Sequence, residues 1–528
     1  MTILNGGDKM PKVIKRGFGS VVALFIVMGS LVSCSTKKAS TPLPPLTAKT
    51  LSWIKESNGV LVDQYGRQVL LHGVNAKFEN LFDVTFSDGR TRNEDLASFT
   101  DAQIQQMAHL GFNFIRLAVN WSGLEPTEGT FNYADLQLLD SVLKSAQNAG
   151  IYVLIDYHED AYSKEIGEDG APLWAIIPTP TTLLSGPLSQ GPTLSCPCYD
   201  LNLRRTSAPV LDAFNSFWED VDNLQERFMP LWQLVASRYA DNPAVIGYED
   251  MNEPVAIQTP NGLKLLDDFH VKAAKYLREV DNNHLFWLEP EVTTRNFSLK
   301  YPLRTSVFPD KDIVYAFHLY PGLAGLNFST YSDWFAALTA TFNSAIAEAQ
   351  SYGAVPVLDE WGTNLHQINN PLPYVTAVLE LADERFMGNA FWDWTDFGSD
   401  AASSWGCYSW DYTVNGFTAS QPGLDALAKP YMLAVPGRFV SNVFDYATDT
   451  LTVTFKANGG EGAPLAYIPH HTYPDGFIVL LDGSQIDVSI DPYTQRVLIP
   501  WQGQSGQHTV VIEPQPVQVP VLNKKQGV

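Results

Sequence analysis

Residues 245–254 read Val245-Ile246-Gly247-Tyr248-Glu249-Asp250-Met251-Asn252-Glu253-Pro254, and residues 355–362 read Val355-Pro356-Val357-Leu358-Asp359-Glu360-Trp361-Gly362. Each is a short, mainly apolar run that closes on acidic residues, a glutamate among them, before a proline or glycine. A carboxylate at the end of an apolar strand is costly unless it is paired or used. Six more runs of this kind surround the two: Val69–Ala76, Phe114–Trp121, Ile151–His158, His284–Glu291, Ile313–Tyr320 and Ala390–Thr395. Several are almost continuously apolar, as strands covered on both faces are. Helical periodicity fills the gaps. Asp135–Ala149 places Leu136, Leu139, Val142, Leu143 and Ala146 on one face and stops at Gly150; Asp212–Tyr239, Leu263–Val280, Ser332–Tyr352 and Tyr374–Arg385 behave alike. Eight strands alternating with helices over residues 51–435 predict an α/β fold, a (β/α)8 TIM barrel. No glycine-rich phosphate loop follows any strand, which argues against a nucleotide fold.

After Pro436 the pattern changes to short alternating strands between Asp, Gly and Pro turns: Phe439–Phe444, Leu451–Phe455, Phe477–Leu481, Gln485–Ile490, Arg496–Ile499 and His508–Ile512. They predict a C-terminal antiparallel β-sandwich domain over residues 436–514, with 515–528 as a tail. One connection, Ala161–Pro209, is far longer than a βα loop needs to be. Loops of that length in compact domains are usually functional. Its Pro172–Leu194 stretch is apolar and nearly free of charge, which suits either a lid over an apolar ligand or packing on the barrel rim. Tyr320–Leu326 offers a second wall.

The 528 residues carry 57 acidic and 34 basic side chains, a formal charge of -23. A surface this acidic repels phosphate backbones, so nucleic acid is not an expected partner. Residues 1–34 read as targeting sequence: Lys12, Lys15 and Arg16 precede the apolar run Val21–Val32, which ends Leu31-Val32-Ser33-Cys34. That tetrapeptide resembles a bacterial lipobox. It predicts a lipid anchor on Cys34, membrane contact through it, and a secreted protein held at the bacterial cell surface or periplasm. Residues 35–50, rich in Ser, Thr, Pro and Lys, read as a tether. Cys196, Cys198 and Cys407 remain; one bridge from the first pair to Cys407 would leave one thiol over. Their spacing is poor for zinc, and no metal or cofactor is implied.

Glycosidic bonds break through an oxocarbenium-like transition state that uses two carboxyl groups, one to protonate the departing oxygen and one to attack or to activate water. Glu253 and Glu360 close the fourth and seventh candidate strands, at the barrel end where active sites form. Asn252-Glu253-Pro254 resembles the acid/base motif of glycoside hydrolase family 5. Other pieces match in order: Arg116 in Ile115-Arg116-Leu117, His158 in Asp156-Tyr157-His158, His318 and Tyr320 in His318-Leu319-Tyr320, and Trp392 in Phe391-Trp392-Asp393-Trp394. The resemblance implies a retaining enzyme with Glu253 as acid/base and Glu360 as nucleophile. Arg116 and Tyr320 would hold Glu360, Asn252 would bond the sugar 2-hydroxyl, and Trp392 would floor the cleaved sugar's subsite. It also implies a raised Glu253 pKa in the free enzyme and carboxyl groups about 5–5.5 Å apart.

Within the family the chain is most similar to endoglycoceramidases, through Gly111-Phe112-Asn113 to Glu125-Pro126, Tyr152 to Asp160, Tyr162-Ser163 and Gly170–Ala175. That likeness implies a glycosphingolipid substrate and adds Asp160 to His158 as a sugar ligand. Two segments depart from the group: Glu249-Asp250-Met251 is less apolar before the acid/base, and Lys77 in His72–Phe78 is spaced differently, so Lys77 is not counted among the sugar ligands. The alternatives are an endo-β-glucanase or mannanase on polysaccharide, and a carbohydrate-binding lipoprotein that has lost catalysis.

Overall fold

Eight parallel strands close into a barrel: β1 (His72–Ala76), β2 (Phe114–Val119), β3 (Tyr152–Tyr157), β4 (Val245–Glu249), β5 (Leu285–Leu288), β6 (Ile313–Leu319), β7 (Val355–Trp361) and β8 (Gly388–Phe391). Each overlaps one of the eight runs read from the sequence, the eighth only at Ala390 and Phe391, with Thr395 in a separate strand. The coordinates are a computed structural model that describes residues 51–188, 204–321, 326–365, 371–397, 405–460 and 462–516. The lipobox, tether, Cys196, Cys198 and Gly322–Gly325 lie outside the described residues. Among those described, no helix is long and apolar enough to cross a membrane.

Alternation along the strands sorts each residue to the barrel interior or to the helix layer. On β2, Ile115, Leu117 and Val119 join the core beneath the helices, while Phe114 points into the barrel. The interior is therefore layered. At the base, Phe114, Leu154, Trp287 and Val314 form an apolar plug, with Phe114 stacked on Trp287 at 5.6 Å. Gly247 makes room for it: a Cβ there would meet the Trp287 ring at 2.4 Å. One layer nearer the mouth the inward positions turn polar, with Arg116, Asp156 and Glu249 all buried.

Each stretch with the 3.6-residue pattern is helical, with one break, and Asp101–His109, Trp121–Leu124, Val292–Ser298 and Gln421–Leu427 are helices that the pattern does not predict. Asp212–Tyr239 is two helices, Ala208–Trp218 and Leu224–Tyr239. Asp220, Asp222 and Asn223 between them have positive φ, a conformation these short polar side chains tolerate.

Two antiparallel sheets share a C-terminal core built on Tyr431, Leu451, Phe455, Tyr467, Val497 and Val510. One is formed by Arg438–Asp445, Thr450–Asn458, Ser505–Pro514, Phe477–Leu481 and Ser484–Ile486. The other joins Tyr431–Pro436, Leu465–Tyr467 and Arg496–Leu498 to three strands from the start of the described chain, Ile54–Ser57, Val60–Asp63 and Arg67–Val69. The seam runs along the barrel base. Arg496 donates to the carbonyls of Gly150 (2.7 Å) and Phe112 (3.1 Å), so a cation meets the negative end of helix Tyr133–Ala149. Gly111, at φ +88°, lets Tyr467 close in where any Cβ would meet its ring at 2.5 Å.

Candidate active site

β7 slips register against both neighbours between Val357 and Trp361. A regular strand would send Asp359 and Glu360 to opposite faces. The irregularity brings both to Arg116: its Nη1 donates to Glu360 at 2.9 Å, and its Nε lies 3.4 Å from Asp359. The same guanidinium donates from Nε to Glu249 at 2.7 Å and from Nη2 to Asn252 at 2.7 Å, and stands 3.2 Å from Asp156. One buried cation thus serves four carboxyl groups, fewer charges than the carboxyls would need if all were ionised. Burial accordingly pushes Glu249 up to about 7 and Asp359 well above the carboxylate range, against the pull of Arg116.

Glu360 also accepts from the Tyr320 hydroxyl at 2.8 Å. Across the mouth, Glu253 Oε1 lies 2.9 Å from His318 Nδ1, which is 3.5 Å from Glu360. Oxygens of Glu253 and Glu360 and the His318 nitrogen all fall within 4.8 Å of one another. That close approach suits direct attack on an anomeric carbon held between the two carboxylates, the short separation of a retaining rather than an inverting site. The trio could geometrically hold a cation, but Arg116, Tyr320 and Arg205 already donate into its carboxylates.

The backbone around Glu253 is constrained. Glu253 has φ +39° immediately before Pro254, a sparsely populated conformation that costs on the order of 1–3 kcal/mol. It is held by the Glu253 N–H donating to Glu289 Oε2 (2.5 Å), the Asn252 N–H to the Tyr157 carbonyl (3.1 Å) and Asn252 Nδ2 to the Glu159 carbonyl (2.8 Å). Asn252 keeps one amide hydrogen beyond those bonds.

On the third strand, His158 Nδ1 bonds Asp156 at 2.6 Å and the ring stacks on Trp392 at 5.3 Å. Burial would discharge this imidazole, but Asp156 and Asp160 hold it well above its usual pKa. Its Nε2 has no hydrogen-bond partner among the described residues; Asp160, 3.7 Å away, is within ion-pair reach only. Lys77 sits 5.2 Å over the Trp392 ring and pairs with Glu94 at 3.2 Å. All nine residues singled out from the sequence therefore meet at one mouth, and Lys77, which its spacing had set aside, joins them.

Two expectations are corrected, and one open alternative is decided. The Glu253 carboxyl is not raised: burial would lift it, but Arg205 and then His318 outweigh burial and hold it below its ordinary value. Cys407 is a buried free thiol, pushed up by burial, rather than half of a bridge. The described part of the apolar loop packs on the barrel rim: Trp174 lies edge-on against Trp121 at 5.1 Å, while the backbone N–H groups of Gly186 and Leu188 donate to Thr91 and Asn93. Sequence reading missed Arg205, Glu289 and the participation of Glu249. For Glu289 a signal existed: it too is an acid closing an apolar run.

Residues 62–398 match the family model described as Cellulase (glycosyl hydrolase family 5), and residues 429–512 match the Glycoside hydrolase family 5 C-terminal domain. Endoglycoceramidase I of Rhodococcus hoagii is 26% identical over 454 residues, covering 81% of this chain and 82% of that protein. Endoglycoceramidase of Hydra vulgaris is 24% identical over 456 residues, covering 80% and 82%. The lactosyl-enzyme intermediate of endo-glycoceramidase II from Rhodococcus sp. superposes with a TM-score of 0.69 at 25% identity, over 88% of this chain and 100% of that one.

Proposed function

This chain belongs to glycosyl hydrolase family 5, and from that premise we propose that it is a retaining, endoglycoceramidase-like hydrolase that releases the glycan of a glycosphingolipid from its ceramide. The observation that carries the reaction is the pairing of Glu253 with Glu360 inside 4.8 Å, with Arg116 and Tyr320 both donating to Glu360.

In the first step Glu360 attacks the anomeric carbon while Glu253 gives its proton to the glycosidic oxygen. The carbon–oxygen bond to the ceramide breaks and a glycosyl–Glu360 ester forms. In the second step Glu253, now a carboxylate, takes a proton from water, which displaces Glu360 and restores the original configuration. Trp392 and His158 would bound the sugar undergoing cleavage, with the free Nε2–H of His158 and Asp160 on its hydroxyls. The remaining Asn252 amide hydrogen reaches the 2-hydroxyl, where a bond tightens as positive charge grows on the ring.

The glycolipid reading draws support from the two endoglycoceramidase relatives that match four-fifths of the chain. A lipid anchor on Cys34 would hold the enzyme at a membrane surface, beside substrates that are themselves membrane lipids. The test is purified protein offered gangliosides, glucosylceramide and β-glucans, with Glu253→Gln and Glu360→Gln as controls. Intact oligosaccharide and ceramide appear with the unaltered enzyme and not with either variant. Hydrolysis of β-glucan or mannan alone would move the assignment to a polysaccharide hydrolase.

A further inference from the structure

The long loop after β3 returns to the barrel mouth at Arg204 and Arg205, both buried. Arg204 pairs with Glu168 near the loop's start, and Arg205 pairs with Asp160 and Glu253 together. Arg205 makes both contacts through Nη2; its Nε has no partner among the described residues. Arg304, by contrast, sets its fork on Asp267, two parallel bonds at once. A grip through one nitrogen is weaker, and the group it grips is the one that must carry the proton.

We propose that Arg205 is a displaceable counter-ion: it holds Glu253 as a carboxylate in the substrate-free enzyme and is moved off when a glycoside takes up Asp160 and Glu253. The inference rests on Glu253 being the proton donor. A sugar bound to Asp160 with its glycosidic oxygen at Glu253 needs the same carboxylate oxygens that Arg205 occupies. Once Arg205 leaves, Glu253 takes up a proton from solvent, the proton that it then delivers to the departing oxygen. When that bond has broken, Glu253 is a carboxylate again, the form that Arg205 favours. Arg205 is thus a positioning residue that acts through Glu253. The groups facing Glu253 are Arg205 and Asp160 from the loop region, Glu289 beyond β5, His318 and Tyr320 at the end of β6, and Glu360 on β7. Among the described residues in contact with Glu253, His318 belongs to a barrel strand, whereas Arg205 comes from outside the barrel strands and can leave without the barrel opening.

The experiment is the pH profile of the full chain on a long-chain alkyl β-lactoside, whose leaving group needs a proton. The alkaline limb of kcat/KM follows Glu253 in the free enzyme, and that of kcat follows it in the complex. In the unaltered enzyme the kcat limb lies at higher pH than the kcat/KM limb. In Arg205→Gln the kcat/KM limb rises by about 1 pH unit or more, the effect of removing one close opposite charge, and the two limbs merge. Arg205→Lys, a point charge on the same carboxylate, restores part of the gap. With a 2,4-dinitrophenyl lactoside, which leaves unprotonated, Arg205→Gln moves neither limb. Coincident limbs in the unaltered enzyme would overturn the proposal without any variant, as would a kcat/KM limb unmoved by Arg205→Gln. If Glu253→Gln leaves alkyl lactoside hydrolysis intact, the reading of Glu253 as donor fails instead, and this inference with it.

Discussion

Glu360 and Glu253 face the same few ångströms of space but are held in opposite ways. Glu360 accepts from Arg116 on β2 and from Tyr320 at the end of β6, groups set by the barrel itself. Glu253 stands one turn beyond its strand at positive φ, bonded to His318 and to an arginine delivered by a loop. A nucleophile is needed ionised and stationary, and strands supply stationary donors. A proton donor must change charge twice per turnover, so a partner that can withdraw suits it better. The two kinds of support match the two kinds of work proposed for Glu360 as nucleophile and Glu253 as proton donor.

The sharpest way to break this comparison is to make the carboxylates answer separately. Glu253→Gln should lose about 10²- to 10⁴-fold on alkyl glycosides, the usual contribution of a general acid, while still releasing a first burst of dinitrophenol from an activated lactoside. Glu360→Gln should lose turnover on both. Azide should rescue Glu253→Ala to a β-glycosyl azide and Glu360→Ala to an α-glycosyl azide, because the two openings lie on opposite faces of the sugar. The same anomer from both would mean that the roles are misassigned.

Tyr320→Phe probes the strand-borne support of Glu360. Losing one hydrogen bond to a charged acceptor costs about 1.5–3 kcal/mol, or about 10- to 150-fold in kcat. The pH limb assigned to Glu253 should stay in place; if it moves instead, the separation of the two carboxylates is not as drawn.

The smallest effect concerns the carboxyl groups beneath the pair. Glu249, lifted to about 7 by burial, keeps its proton in the folded chain at pH values where an unfolded glutamate has released it. Between the ordinary value of 4.5 and about 7, stability therefore falls as pH rises, by at most about 1.4 kcal/mol per pH unit for one group, and it levels off above that window. Glu249→Gln, which keeps an acceptor for Arg116, should narrow the difference between urea midpoints at pH 5 and pH 7. An unchanged difference would mean that Glu249 is already ionised throughout.

The barrel was legible because each strand is a compact apolar run, and each run is a local property of the chain. The glutamate pair was legible because charge at the end of such a run is costly and therefore conspicuous. Arg205 was not legible: it lies next to Arg204 in a loop without periodicity, where two arginines read as solvated surface. The strands Ile54–Ser57 and Tyr431–Pro436 escaped for another reason. Ile54–Ser57 is only four residues long and pairs with the equally short Val60–Asp63, and Tyr431–Pro436 finds its partner hundreds of residues away, as in the pairing of Ala434 with Val69; segments this short carry little signal of their own. Trp174 and Leu188 read equally well as a lid or as rim packing from their hydrophobicity; only their contacts with Trp121 and Asn93 decide between the two.

The sheet at the barrel base has a consequence for biogenesis. Arg67–Val69, among the earliest segments of this unit to leave the ribosome, pairs with Tyr431–Pro436, which emerges more than three hundred residues later. Until then the opening hairpin has no neighbour for its edge, and an exposed edge invites pairing with other chains. A nascent chain must therefore stay shielded until its closing strands arrive, and cutting it after β8 would leave that edge permanently bare.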